Sequence, residues 1–141
     1  MFSKRVIAVA CTLVMCLALA GQAQDPNEAT APYPSDGAQY IQTEGLVLTW
    51  TIGQDTMMHN VYFGTDQAAV EARDETTEIG EMLFSNTVEL DALELGTTYY
   101  WAVDEWAMSM EIYPSPVWSF TTLPAIEVAD PNLLARPFKA W

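Results

Sequence analysis

The chain has 141 residues, 50% of them hydrophobic and 17% charged, with 5 Lys and Arg against 19 Asp and Glu for a formal net charge of −14. That is length for one domain and composition too apolar for a chain disordered throughout. So few cations cannot neutralise a run of phosphates, so nucleic acid is excluded as a partner and anionic membrane surfaces are poor ones.

Residues 1–23 read MFSKRVIAVACTLVMCLALAGQA, with Lys4 and Arg5 as a positive start, Val6 to Ala20 as an apolar core and Gly21-Gln22-Ala23 as a small-x-small cleavage site. That is the pattern of a secretory signal peptide. The apolar run falls short of the ~20 residues a spanning helix needs, so a permanent anchor is the weaker reading and no stable membrane insertion is expected after cleavage. No cysteine stands at the cut, which sets the segment apart from a lipoprotein signal.

Both cysteines, Cys11 and Cys16, lie inside that segment. Cleavage leaves 118 of the 141 residues with Arg73, Arg136 and Lys139 against 19 acids, a net charge of −16. The expected location, secreted or extracytoplasmic in the cell envelope, permits disulfides, yet this domain has no thiol to use and depends on its core.

The mature chain opens on a linker, residues 24–28, followed by a Pro-interrupted edge strand within a turn-rich stretch to Thr43. Five runs rich in β-branched and aromatic residues come next: Leu46–Thr51, His59–Gly64, Asn86–Leu90, Thr97–Trp106 and Pro116–Thr122. Their spacing predicts an all-β sandwich or barrel. Period-two alternation puts Leu46, Leu48, Trp50, His59, Val61, Phe63, Tyr99, Trp101, Val103, Trp118 and Phe120 inside, and Asn60, Tyr62, Tyr100, Ala102 and Asp104 outside. Asp66–Arg73 predicts a single helical turn with Asp66 as N-cap.

The segment Leu93-Glu94-Leu95-Gly96-Thr97-Thr98-Tyr99-Tyr100-Trp101-Ala102-Val103 resembles the turn and sixth strand of a fibronectin type III domain. In that family the Leu packs under a tyrosine corner, matched here by Leu93 and Tyr99. Trp50 resembles the buried second-strand tryptophan and His59-Asn-Val-Tyr-Phe the third strand. His59–Asp66, Gly96–Glu105 and Val117–Thr122 are similar to modules of exported, multidomain planctomycete-type bacterial proteins. The resemblance covers about residues 29–122 and implies an immunoglobulin-like β-sandwich of about seven strands, with Trp50, Leu93, Tyr99, Trp101, Val103 and Trp118 as structural residues. Ala102 stands where that subgroup commonly has Arg, which removes one outward charge. Residues 123–141 form a C-terminal tail in which Asp130-Pro-Asn-Leu-Leu-Ala135 resembles the lead-in to a further domain, often laminin-G-like. An ordinary tail and the truncated start of that domain are both open readings.

No catalytic set stands out. Glycosidases need two carboxyl groups across a cleft, and here the acids are spread over loops and outer faces. His59 is the one histidine and has inward parity, which suits packing or an edge hydrogen bond better than base chemistry; no Gly-x-Ser-x-Gly elbow accompanies it. For calcium the best clusters are Asp74–Glu78 and Asp104-Glu105, without EF-hand spacing, and surface charge accounts for them. No His/Cys set suits zinc and no Gly-rich loop suits phosphate, so no cofactor or metal is expected.

The candidate ligand surface is aromatic: Tyr62 and Tyr100 with outward parity on neighbouring strands, and Trp106 and Tyr113 at the start and tip of the loop that follows. Such rings beside carboxylates suit sugar stacking; the competing reading has them covered by the Ala107–Ser115 loop or by an adjoining domain. The family resemblance therefore implies a secreted, non-enzymatic module acting as spacer, docking or adhesion domain, with other protein domains or cell-surface polysaccharide as partners. The alternative is a small carbohydrate-binding module.

Overall fold

A computed structural model describes residues 24–126; the signal-like segment 1–23 and the tail from residue 127, Asp130–Ala135 included, lie outside the described residues. In chain order the elements are β1 (Thr30–Tyr33), β2 (Ala38–Ile41), β3 (Val47–Thr51), β4 (Thr56–Gly64), helix α1 (Gln67–Glu71), a 3-10 turn (Glu75–Thr77), β5 (Glu78–Leu83), β6 (Thr87–Glu89), β7 (Thr98–Ala107), β8 (Ile112–Pro114) and β9 (Trp118–Thr122). They form two sheets, one ordered β1-β3-β6 and the other β2-β9-β7-β4-β5 with β8 paired to β7. No helix among the described residues is long and apolar enough to cross a membrane.

All five predicted runs carry strands. The Pro-interrupted edge strand is two strands in different sheets: β1 pairs antiparallel with β3, whereas β2 pairs parallel with β9. Both β5 and β8 were unforeseen in the pattern. The β5 sequence EIGEML has poor strand formers and is held by its ladder to β4, a tertiary effect that outweighs propensity. For β8, the Ala107 N–H donates to the Glu111 carbonyl at 2.9 Å and the Met110 N–H to the Ala107 carbonyl at 3.0 Å, with Met110 left-handed at φ 66°. The segment read as a covering loop is thus a tight β7–β8 hairpin.

Ser115 carries the β7 edge from β8 into β9. Its N–H donates to the Val103 carbonyl at 2.8 Å and its hydroxyl accepts the Val103 N–H at 2.9 Å. The following Pro116 has no N–H to offer, so the hydroxyl keeps the ladder satisfied where the strand is interrupted.

The core holds Leu48, Val61, Trp101, Val103 and Phe120 at 0% exposure, with Trp50, Tyr99 and Trp118 also buried. Burying each aliphatic or Phe side chain contributes about 1.5–3 kcal/mol. The rings form two groups: Trp101 meets Trp118 edge-on at 4.7 Å and Trp50 at 6.3 Å, while Phe63 stacks on Tyr99 at 5.0 Å. The Tyr99 hydroxyl accepts the Glu94 N–H at 3.0 Å, fixing the turn ahead of β7, and Leu93 packs part-buried against the core.

Candidate functional site

On the outer face of the larger sheet, register alone brings Tyr62 opposite Ala102, Gly64 opposite Tyr100 and Met58 opposite Trp106. Over them lies α1. Its N-cap is Asp66, whose side chain accepts from the Ala68 and Ala69 N–H groups, and its buried Val70 packs with Tyr62 and Ala102. Tyr100 and Val117 join that cluster part-buried. Tyr62 is therefore only 8% exposed. Cover of Tyr62 comes from α1, not from the Ala107–Ser115 segment, whose Ile112 lies beside Trp106.

Arg73, the single Lys or Arg among the described residues, fastens this cover. It follows α1 with left-handed backbone, φ 55°, which turns its side chain onto the sheet. Its Nε donates to Asp104 Oδ1 at 2.8 Å, Nη1 to the Val70 carbonyl at 3.1 Å and Nη2 to the Ser115 carbonyl at 2.9 Å. The guanidinium also sits 5.5 Å from the Tyr62 ring centre, a cation–π distance. Burial pushes the Tyr62 phenol above its ordinary value, opposed by hydrogen bonding to Asn60.

Trp106 shares the outer face of β7 with Tyr100, one strand over from Tyr62, whereas Tyr113 does not join them. Trp106 is half-buried beside Met58 and Ile112, and its Nε1 is buried without a hydrogen-bond partner among the described residues. Tyr113 pairs with Glu105, so it has the opposite parity and faces the other side of the sheet. It lines a groove with Asn27, Met57 and Met108, and its hydroxyl donates to Glu111 Oε2 at 2.9 Å, which holds its proton on beyond the usual pH range. The four candidate residues are thus split between two faces.

The polar centre missed from the sequence is internal. Glu105, fully buried, accepts the Trp50 Nε1–H at 3.0 Å through Oε1 and faces His59 Nδ1 at 2.8 Å through Oε2. His59, 1% exposed, lies directly across the β4–β7 ladder and packs edge-on against Trp50. The signal was available: Glu105 has the parity of Trp101 and Val103, which puts its carboxylate inside and opposite His59. Asp104 has the other parity, so adjacent Asp104 and Glu105 point to opposite faces and cannot share a cation. In the other acidic stretch, Asp74 caps the 3-10 turn by accepting from the Thr76 hydroxyl and N–H, which lowers its pKa, and Glu78 accepts from Asn60. Among the described residues no group of three or more His, Cys, Asp or Glu is arranged to hold a metal ion.

No protein-family model matches the chain, and no curated protein matches it. Solved structures do. An α-L-rhamnosidase from Dictyoglumus thermophilum aligns at TM-score 0.57 and 11% identity over 73% of this chain and 13% of the enzyme. The α-L-rhamnosidase of Streptomyces avermitilis aligns at 0.55 and 16% identity over 68% of this chain and 10% of the enzyme. An Fn3-like protein from Clostridium thermocellum aligns at 0.51 and 20% identity, over 74% of this chain and 99% of that protein. The chain thus spans only a small part of the two enzymes and nearly the whole of the Fn3-like protein. Strand order, tyrosine corner and these likenesses agree: the chain folds as an immunoglobulin-like, fibronectin type III-like β-sandwich.

Proposed function

We propose that the chain is an exported, non-enzymatic module that serves as a spacer, docking or adhesion domain at the bacterial cell envelope. The observation that carries this reading is the use made of its chemically versatile side chains. His59 and Glu105 satisfy each other in the core, and Arg73 fastens α1, so these groups serve the sandwich and leave an acidic outer shell. Such a shell keeps a disulfide-free domain soluble outside the cell. The likeness to the rhamnosidases is one of fold and brings no activity with it.

The test is expression of the full chain with a C-terminal tag in a bacterial host, followed by cell fractionation and intact mass. The expected result is loss of residues 1–23 and retention of the product on the washed envelope. An unprocessed cytoplasmic chain overturns the export reading; a processed chain wholly free in the medium overturns the docking one.

Carbohydrate binding is the second reading, favoured by Tyr100 and Trp106, which share the outer face and are part-buried. Polysaccharide pull-down with Tyr100→Ala and Trp106→Ala tests it. Retention that both substitutions leave unchanged, or no retention by the parent, removes it.

A further inference from the structure

At one edge of the sandwich β5 ends the larger sheet and β6 ends the smaller one, with no strand pairing between them among the described residues. Behind that edge lies a groove of about 720 Å³ in which Ile79, Val88 and Phe63 supply apolar walls and Glu89, Asp91 and Glu94 an acidic rim. Ile79 is 41% exposed there. Among the described residues the ion pairs are His59–Glu105 and Arg73–Asp104, so no described cation answers the rim.

The chain leaves the sandwich beside this groove. The Leu123 N–H donates to the Ile41 carbonyl at 2.9 Å and the Gly96 N–H to the Leu123 carbonyl at 2.7 Å. Pro124 and Ala125 then pass against Gly96, two residues from Glu94 of the rim. The remaining residues, 127–141, include Leu133, Leu134, Phe138 and Trp141 together with Arg136 and Lys139, the only Lys or Arg after Arg73. Fifteen extended residues reach up to about 50 Å, so distance from the exit is no constraint.

We infer that the groove between β5 and β6 is a docking site for this chain's own C-terminal segment, residues 127–141. By composition the segment offers Leu133, Leu134, Phe138 and Trp141 to suit apolar walls, and Arg136 and Lys139 to suit an acidic rim. Charge selects this occupant over a second sandwich. All acids but Glu127 and Asp130 belong to the described body, so two bodies repel, whereas the segment brings the missing cations. This inference is independent of the export and docking reading above.

The test uses the absence of thiols after residue 16. Ala140→Cys, in the full chain with Cys11→Ser and Cys16→Ser, carries a nitroxide, and amide spectra are recorded with the label oxidised and reduced. The expected result is loss of intensity at the amides of Ile79, Val88 and Leu93, independent of protein concentration. Adding Arg136→Glu and Lys139→Glu restores those intensities, and the further swap of Glu89→Lys and Asp91→Lys removes them again. The spectrum itself reports whether each variant is folded. No broadening, or broadening centred elsewhere on the sandwich, overturns the inference. Broadening that requires mixing spin-labelled and isotope-labelled chains identifies a second copy as occupant and also overturns it.

Discussion

Replacing Glu105 by Leu removes the one acceptor shared by the Trp50 indole and the His59 ring in a fully buried site. Each orphaned buried donor costs about 1–3 kcal/mol, and here two donors share the acceptor that is lost. The expected loss is therefore about 2–6 kcal/mol, a large share of the ~5–15 kcal/mol that holds a domain of this size folded. At roughly 4–8 °C per kcal/mol, the melting temperature falls by at least about 8 °C. His59→Phe leaves the carboxylate with Trp50 alone and costs a similar amount. The double variant removes both the acceptor and the ring facing it and newly orphans only the Trp50 N–H, so it loses about 1–3 kcal/mol, less than either single change. Urea unfolding followed by tryptophan fluorescence measures all three, since Trp50, Trp101 and Trp118 are core residues. A Glu105→Leu loss within ~1 kcal/mol, or a double variant whose loss equals the sum of the singles, refutes the argument that the carboxylate is held by these two donors.

Arg73→Met removes three hydrogen bonds of the α1 clamp, including that to Asp104, and is expected to cost about 1.5–3 kcal/mol. Hydrogen exchange at the amides of Val70 and Ala72 should speed up, and unchanged protection there would count against the clamp. Tyr62, whose phenol is raised by burial, contributes stability that is complete below its unfolded value of about 10 and is lost as pH rises through the higher folded value. Denaturant midpoints at pH 9 and 11 should therefore fall more steeply for the parent than for Tyr62→Phe; parallel falls would refute this. Gly53→Ala puts a methyl group into the Asn27 backbone and is expected to cost about 1–3 kcal/mol by thermal melt, where an unchanged midpoint would show that the Asn27 loop yields freely.

Much of the core was legible because successive side chains of β3, β4, β7 and β9 point to opposite faces. Leu48, Trp50, Val61, Trp101, Val103 and Phe120 were placed inside by parity alone and are buried. Parity also reached Asn60, Tyr62 and Ala102 on the outer face but could not say whether that face met water. It met α1, because the end of a five-residue helix and one left-handed arginine bring Val70 onto Tyr62. The candidate surface was misjudged at Tyr113 for a different reason: the tight turn at Met110 sets a hairpin register that residue types in Ala107–Ser115 do not announce.

By itself the sequence determined the strand-rich class, the inward and outward faces, the tyrosine corner and the acidic balance, all of which depend on residue type and local period. Tertiary structure alone decided which exposed-looking groups were covered, that β1 and β2 belong to different sheets, and that Glu105 finds His59 and Trp50. Those outcomes depend on contacts between residues far apart in the chain, where register and packing, not local propensity, set the distances.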